Sequence, residues 1–399
     1  MTSPKLYLAI DNCFAGKRWT APEEWARVVA GLGLSYVEAS ADTELDPLYM
    51  GAQYTAQWID LARESCAREN VTIQNVYSGH GTYATTGIAH ISPLVRRRFI
   101  DGWMKKQIDT ANALGAGFGF FAHGFDEMYL QSHARYEEKL QELYASLAEI
   151  AAYAKQTGMR YAGLEQMYTP HMPPWTIDGA RTLLQRVYAQ SGAPFYLTID
   201  LGHMNGQQYF QRPDEERVLS LIRLARQGMP QRRVWLGTAN AMAIYRAAVQ
   251  GEIQQSKAVE RILADIEKNP HLFASPQDGD IWAWTRALGQ YSPIIHLQQS
   301  DGKSSPHWPF SSEYNEKGGV SGEKLMEALC QAYAQEAVDG LPAPCEEIVL
   351  TLEPFIATAA NVYDFLDDLE QSVRYWRRFL PRDGMTLQEA AALIRTQPE

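Results

Sequence analysis

Four polar side chains each close an otherwise apolar, strand-like run, and no other feature restricts the fold of this chain as much. Glu165 ends Arg160-Tyr161-Ala162-Gly163-Leu164-Glu165, and Asp200 ends Phe195-Tyr196-Leu197-Thr198-Ile199-Asp200. His296 ends Pro293-Ile294-Ile295-His296, and Glu353 ends Ile348-Val349-Leu350-Thr351-Leu352-Glu353. A carboxylate at the end of a buried strand is costly unless something pairs with it. Three carboxylates and one imidazole brought together make a hard-cation site. The oxygens suit Mn2+ or Mg2+, and the imidazole tilts the choice toward Mn2+, Co2+ or Zn2+. One divalent ion, Mn2+ first, is the expected cofactor.

Eight apolar runs alternate with amphipathic patterns. The predicted strands are Lys5–Asp11, Tyr36–Ala39, Thr72–Tyr77, Gly117–Ala122, Tyr161–Glu165, Phe195–Asp200, Ile294–Leu297 and Ile348–Glu353. Helical patterns between them include Pro22–Leu32, Tyr54–Glu69, Pro93–Leu114, Tyr136–Gln156 and Ile177–Gln190. This alternation predicts an α/β fold, a parallel sheet closed as a (β/α)8 TIM barrel. An open doubly wound sheet is disfavoured, because Asp11-Asn12-Cys13-Phe14 follows the first strand in place of a Gly-rich phosphate turn. In the barrel, catalytic groups stand at the C-terminal strand ends, and the four candidates close strands five to eight.

One TIM-barrel domain over residues 1–399 is expected. The stretch from Asp200 to His296 is longer than a simple βα unit needs. Residues 207–278 are therefore read as a helical insertion at the catalytic rim, a lid or an oligomer contact, which favours a homo-oligomer. Within the stretch, 214–227, 239–269 and 279–288 have helical patterns, the last leading into strand seven. The Gly-, Ser- and Pro-rich residues 302–322 are expected to fold over a substrate.

The formal charge of −11 disfavours a nucleic-acid partner, which needs a dense basic surface, and none is expected. Arg96-Arg97-Arg98 with Lys105-Lys106 reads as a solvated helix face. No run of eighteen apolar residues marks a membrane span. The N-terminus carries no signal-peptide pattern, so a cytoplasmic protein is expected. Cys13, Cys66, Cys330 and Cys345 show no CxxC spacing, against a thiolate zinc site or a disulfide framework. Cys13 reads as a small buried thiol.

Further pocket candidates flank the four. His203, in Asp200-Leu201-Gly202-His203, is placed to bind a substrate oxygen beside the metal. Gln298 and Asp301 follow His296 and are candidates to orient hydroxyl groups, with His307 at the rim. His80 lies on a glycine-flanked loop after strand three. Glu38 ends strand two, where a pocket role and a buried pair with Arg or Lys explain it equally. His123 near the end of strand four is comparable.

Gly163-Leu164-Glu165, Ile199-Asp200-Leu201-Gly202-His203-Met204-Asn205, Ile295-His296-Leu297-Gln298 and Leu352-Glu353-Pro354-Phe355 resemble the xylose isomerase-like sugar isomerase/epimerase superfamily, in its ketose 3-epimerase branch. The resemblance implies that Glu165, Asp200, His296 and Glu353 hold one divalent metal. It further implies that Glu165 and Glu353 move protons on opposite faces of a sugar and that His203 contacts substrate.

The expected function is a metal-dependent sugar epimerase or isomerase acting by proton transfer through a metal-stabilised enediolate on a ketose or keto-sugar derivative. Return of the proton to the opposite face epimerises, and a shuttle along one face isomerises. Alternatives are a metal-dependent lyase or dehydratase of a keto sugar or oxidised C-glycoside, and a non-catalytic carbohydrate-binding barrel. With no P-loop and no Gly-rich turn after strands seven or eight, free sugars are favoured over sugar phosphates.

Overall fold

The computed structural model describes residues 3–16, 18–41, 43–78 and 85–396. Eight strands run parallel: β1 (Lys5–Asp11), β2 (Tyr36–Ser40), β3 (Thr72–Ser78), β4 (Gly117–Phe120), β5 (Ala162–Glu165), β6 (Tyr196–Asp200), β7 (Ile294–Leu297) and β8 (Glu347–Leu352). Each pairs with the next, and β1 pairs with both β8 and β2, so the sheet closes into the expected (β/α)8 barrel. A short β9 (Met385–Thr386), not foreseen, runs antiparallel to Lys5 and Leu6, on the part of β1 that β2 leaves uncovered.

Side chains alternate across each strand and so divide between two faces. Leu8 and Ile10 of β1, Phe118 and Phe120 of β4, and Leu350 and Leu352 of β8 are fully buried or nearly so against helix residues such as Trp25, Trp103 and Trp376. The intervening residues point into the barrel, where Tyr77, Phe121, Met167, Met172 and Ile294 form a small separate cluster. The interior is tight. A Cβ at Gly117 would stand 2.1 Å from the Tyr161 ring, and one at Gly119 would stand 2.3 Å from the Tyr77 ring. These glycines clear the space that two inward tyrosines fill.

Helix boundaries follow their caps. Asp46, Ser132 and Thr176 each accept a backbone N–H from the first turn that follows. The pattern expected over 239–269 is two helices, Ala239–Gln250 and Gln255–Lys268, because Gly251 ends the first in the left-handed region at φ 84°. Their buried faces, with that of Glu215–Arg226, join the main core through Ile222, Ile244 and Ile262. Arg96, Arg97 and Lys105 pair with Glu142, Asp101 and Glu149 on the surface, the solvated face expected. No described helix is long and apolar enough to cross a membrane.

Gly119→Ala forces an overpacked interior and is expected to cost ~1–3 kcal/mol, read as a lower urea midpoint. Gly31→Ala, with nothing within 4 Å of the new Cβ, is the control and is expected to leave the midpoint nearly unchanged. Equal midpoints for the two variants would contradict this account of the interior.

Candidate metal centre

Strand register sets the first pairs. Asp200 of β6 stands beside His296 of β7, and Asp11 of β1 beside Glu38 of β2. Glu165 closes β5, and Glu353 follows the last residue of β8. Ligand atoms of Glu165, Asp200, His296 and Glu353 all lie within 4.8 Å of one another, and all four residues are buried. The four strand-end residues converge on one point.

The imidazole of His296 is their hub. Its Nε2 lies 3.0 Å from Glu38 Oε1, while Nδ1 lies 3.3 Å from both Glu165 Oε1 and Glu353 Oε2. Glu38 is itself held, since Asn75 Nδ2 donates to its Oε2 at 2.7 Å. The Tyr77 hydroxyl donates to Glu165 Oε2 at 2.8 Å, and the Tyr77 ring meets the imidazole edge-on at 4.6 Å. With an ion at Nδ1, the carboxylate on Nε2 would hold the Nε2–H tautomer.

Electrostatics make the cluster demanding. Burial opposes a charge on His296, yet Glu353 and Glu38 outweigh it and hold the imidazole pKa well above its usual value. Burial would raise Glu353, but His296 and His307 pull it well below the carboxylate range. Asp11 is pushed well up by burial, then by Glu38 and Glu353. Among the described residues these carboxylates form ion pairs only with histidines. Glu353 Oε2 accepts no well-aligned hydrogen bond. Three buried carboxylates, one orphaned oxygen and an oriented ring nitrogen fit a divalent cation.

Asp200 is fixed from three sides. Its Oδ1 accepts the N–H groups of Gly202 (2.6 Å) and His203 (3.0 Å), and Gln298 Nε2 donates to Oδ1 at 2.7 Å. A Cβ at Gly202 would stand 2.3 Å from the Gln298 carboxamide, so glycine admits that contact. Gln298 Oε1 accepts the His307 N–H at 2.8 Å, which sets the amide's orientation. His307 holds a left-handed backbone at φ 51°, and its ring stacks on Phe355 at 3.9 Å. Its Nδ1 lies 3.1 Å from the Glu353 carbonyl, and Nδ1 of His203 lies 3.0 Å from the Gln166 carbonyl. Burial would lower the His307 pKa, but Glu353 raises it to about 9. With each Nδ1–H committed to a carbonyl, Nε2 of His203 remains for a ligand, while Nε2 of His307 lies 3.4 Å from Gln298 Nε2.

Glu165, Asp200, His203, His296, Gln298, His307 and Glu353 are thus brought together. Asp301 is not, a correction to the sequence expectation: its carboxylate accepts the Lys303 N–H at 3.0 Å in an exposed turn of its own loop. His80 lies outside the described residues. The His123 ring packs against Phe99 and Phe121. Among the described residues Glu38 pairs with neither Arg nor Lys but with His296. Asn75, Tyr77 and Gln166 were missed. Gln166 straps β5 to β6 by donating to the Asp200 carbonyl at 3.0 Å and accepting the Asp200 N–H at 3.1 Å.

Residues 26–234 match the xylose isomerase-like TIM barrel family, and the chain belongs to that family. A D-erythrulose 1-phosphate 3-epimerase from Brucella abortus is 33% identical over 115 residues, covering 29% of this chain and 34% of that enzyme. The alignment thus spans about a third of the curated relative's length. A candidate xylose isomerase from Rhodospirillum rubrum superposes with a TM-score of 0.65 at 18% identity, covering 93% of this chain and 98% of that one. A D-psicose 3-epimerase gives 0.54 at 12% identity, covering 93% and 98%. An L-ribulose 3-epimerase gives 0.53 at 14%, covering 98% and 100%. At these identities the structural likenesses establish the fold.

Glu38→Ala removes the acceptor that orients His296, and is expected to weaken Mn2+ binding to metal-stripped protein by ~10–100-fold in calorimetric titration. An unchanged affinity would show that the imidazole needs no such partner.

Proposed function

We propose that this protein is a divalent-metal-dependent sugar epimerase or isomerase that moves protons on a ketose or keto-sugar derivative. The observation that carries it is the cross-barrel cluster of Glu165, Asp200, His296 and Glu353, with no lysine or arginine paired to it among the described residues. Glu165, Asp200, His296 through Nδ1, and Glu353 would hold the ion, for which Mn2+ is the first choice from this donor set. When bound, it would supply Lewis-acid polarisation of a sugar carbonyl, which acidifies the neighbouring C–H.

The remaining chemistry falls to the side chains. Glu165 and Glu353 close strands on either side of β6 and β7, so they approach a ligand from different directions. Glu353, whose Oε2 accepts no hydrogen bond, is suited to accept a proton from the carbon beside the carbonyl. Glu165, with Oε2 tied to the Tyr77 hydroxyl, is suited to return one from the other side. Removal on one face and return on the other inverts that carbon, which is epimerisation. His203 presents an Nε2 atom that would hold a sugar hydroxyl, and His307 stands beside it, so the pair would fix which carbon faces the carboxylates. The Brucella relative's name supports a ketose-type substrate. Residues 207–278 are taken as an insertion at the same rim, fastened to the loop after β7 through Gln208 and Tyr209.

Turnover of candidate ketoses in D2O is the decisive measurement. Deuterium at an inverted carbon is the expected result, and conversion without incorporation would refute proton transfer. Glu165→Gln and Glu353→Gln are each expected to lower kcat by roughly 10²–10⁴-fold. Near-native activity in either would remove that residue from the mechanism.

A further inference from the structure

Outside the metal centre, the sharpest local departure from the chain's acidity lies beside the helix Glu215–Arg226. A cavity of about 520 Å3 there is lined by Arg212, Arg217, Arg232 and Arg233, with Tyr209 and Trp235. The whole chain carries a formal charge of −11, so four guanidiniums around one concavity stand against its overall composition. Asp214 is the only carboxylate in the lining, and it is engaged, accepting the Arg217 N–H at 2.7 Å as the helix cap. Arg212 pairs with Glu267, which lies outside the lining. No carboxylate pairs with Arg217, Arg232 or Arg233 among the described residues.

Arg233 also holds a left-handed backbone, φ 58°, which few non-glycine residues adopt. Its guanidinium stands 4.4 Å from the Tyr209 ring centroid. All four arginines are exposed, so solvent screens their mutual repulsion. Planar guanidiniums are the groups that recognise a phosphate dianion through paired N–H donors, and four such residues line this concavity.

The cavity shares a loop with the metal centre. Gln208 donates to the Gly302 carbonyl at 2.9 Å, and the Tyr209 hydroxyl donates to the Lys303 carbonyl at 2.6 Å. In the same loop, the Ser305 hydroxyl accepts from Gln298, which also holds Asp200. We propose that the arginine cavity is a phosphate-binding site and that it takes the phosphate of a phosphorylated ketose or keto-sugar derivative. Phosphate binding stands on the cavity alone, whereas its assignment to the substrate rests on the epimerase reading above. The sequence preference for unphosphorylated sugars is thereby reversed.

The test is calorimetric titration of inorganic phosphate into the full-length protein at constant ionic strength. The Arg217→Gln/Arg232→Gln double variant is expected to bind at least ~10-fold more weakly than the unaltered protein. Arg217→Lys, which keeps the charge but not the fork, is expected to lose less and guards against misfolding of the double variant. Equal binding by all three proteins, or none by any, would overturn the site. The KM of a ketose 1-phosphate relative to that of its parent ketose is expected to rise at least ~10-fold in the double variant. Arginine-dependent phosphate binding with an unmoved KM ratio would confirm the site and overturn the substrate assignment, leaving free phosphate as its ligand. Arginine-dependent binding with no ketose turned over would sink the epimerase reading while sustaining the site.

Discussion

Five buried carboxylates at one end of a closed barrel, held around a single imidazole, are the constraint on which the site depends. Asp11, Glu38, Glu165, Asp200 and Glu353 are each 8% exposed or less. Such a group of like charges stays ionised only if cations or donors answer it. Backbone amides and Gln298 answer Asp200, Tyr77 answers Glu165, and Asn75 answers Glu38. His296 and His307 stand 3.3 Å from Glu353 Oε2, but neither gives it an aligned hydrogen bond. A dication placed there would answer three carboxylates at once.

The geometry that permits this begins far from the charges. Glycines at 117 and 119 leave room for the Tyr161 and Tyr77 rings. Tyr77 can then reach across the barrel to Glu165 and lie against His296. Packing and electrostatics are therefore one problem here. The ring that fills the interior also supplies the hydroxyl that orients a carboxylate.

The four convergent residues were legible because a charged or imidazole side chain interrupts each apolar run, a purely local signal. The barrel was legible from the count and alternation of those runs. Glu38 could be singled out as a buried acid but its partner could not, because the Glu38–His296 contact exists only once β2 and β7 face each other across the closed barrel. Asn75 and Tyr77 read as ordinary strand residues for the same reason. Asp301 misled through adjacency to Gln298, since a short carboxylate one residue before glycine caps its own turn as readily as it reaches a ligand. The split at Gly251 was masked by helical patterns on both sides of it.

The arginine cavity answers a difficulty that the acidic mouth creates. A phosphorylated ligand brings further negative charge toward a site already crowded with carboxylates, and at short range that repulsion opposes binding. A cation among the carboxylates reduces the repulsion but does not reward the phosphate. Guanidiniums lining a cavity joined to the β7 loop do both, drawing the dianion to the rim. Arg212 precedes the helix Glu215–Arg226, Arg217 lies in its first turn, and Arg232 and Arg233 follow it, so the sequence shows the arginines but not that these four line one cavity. Folding the segment back over the loop makes the charge separation, acid within the barrel and base outside it.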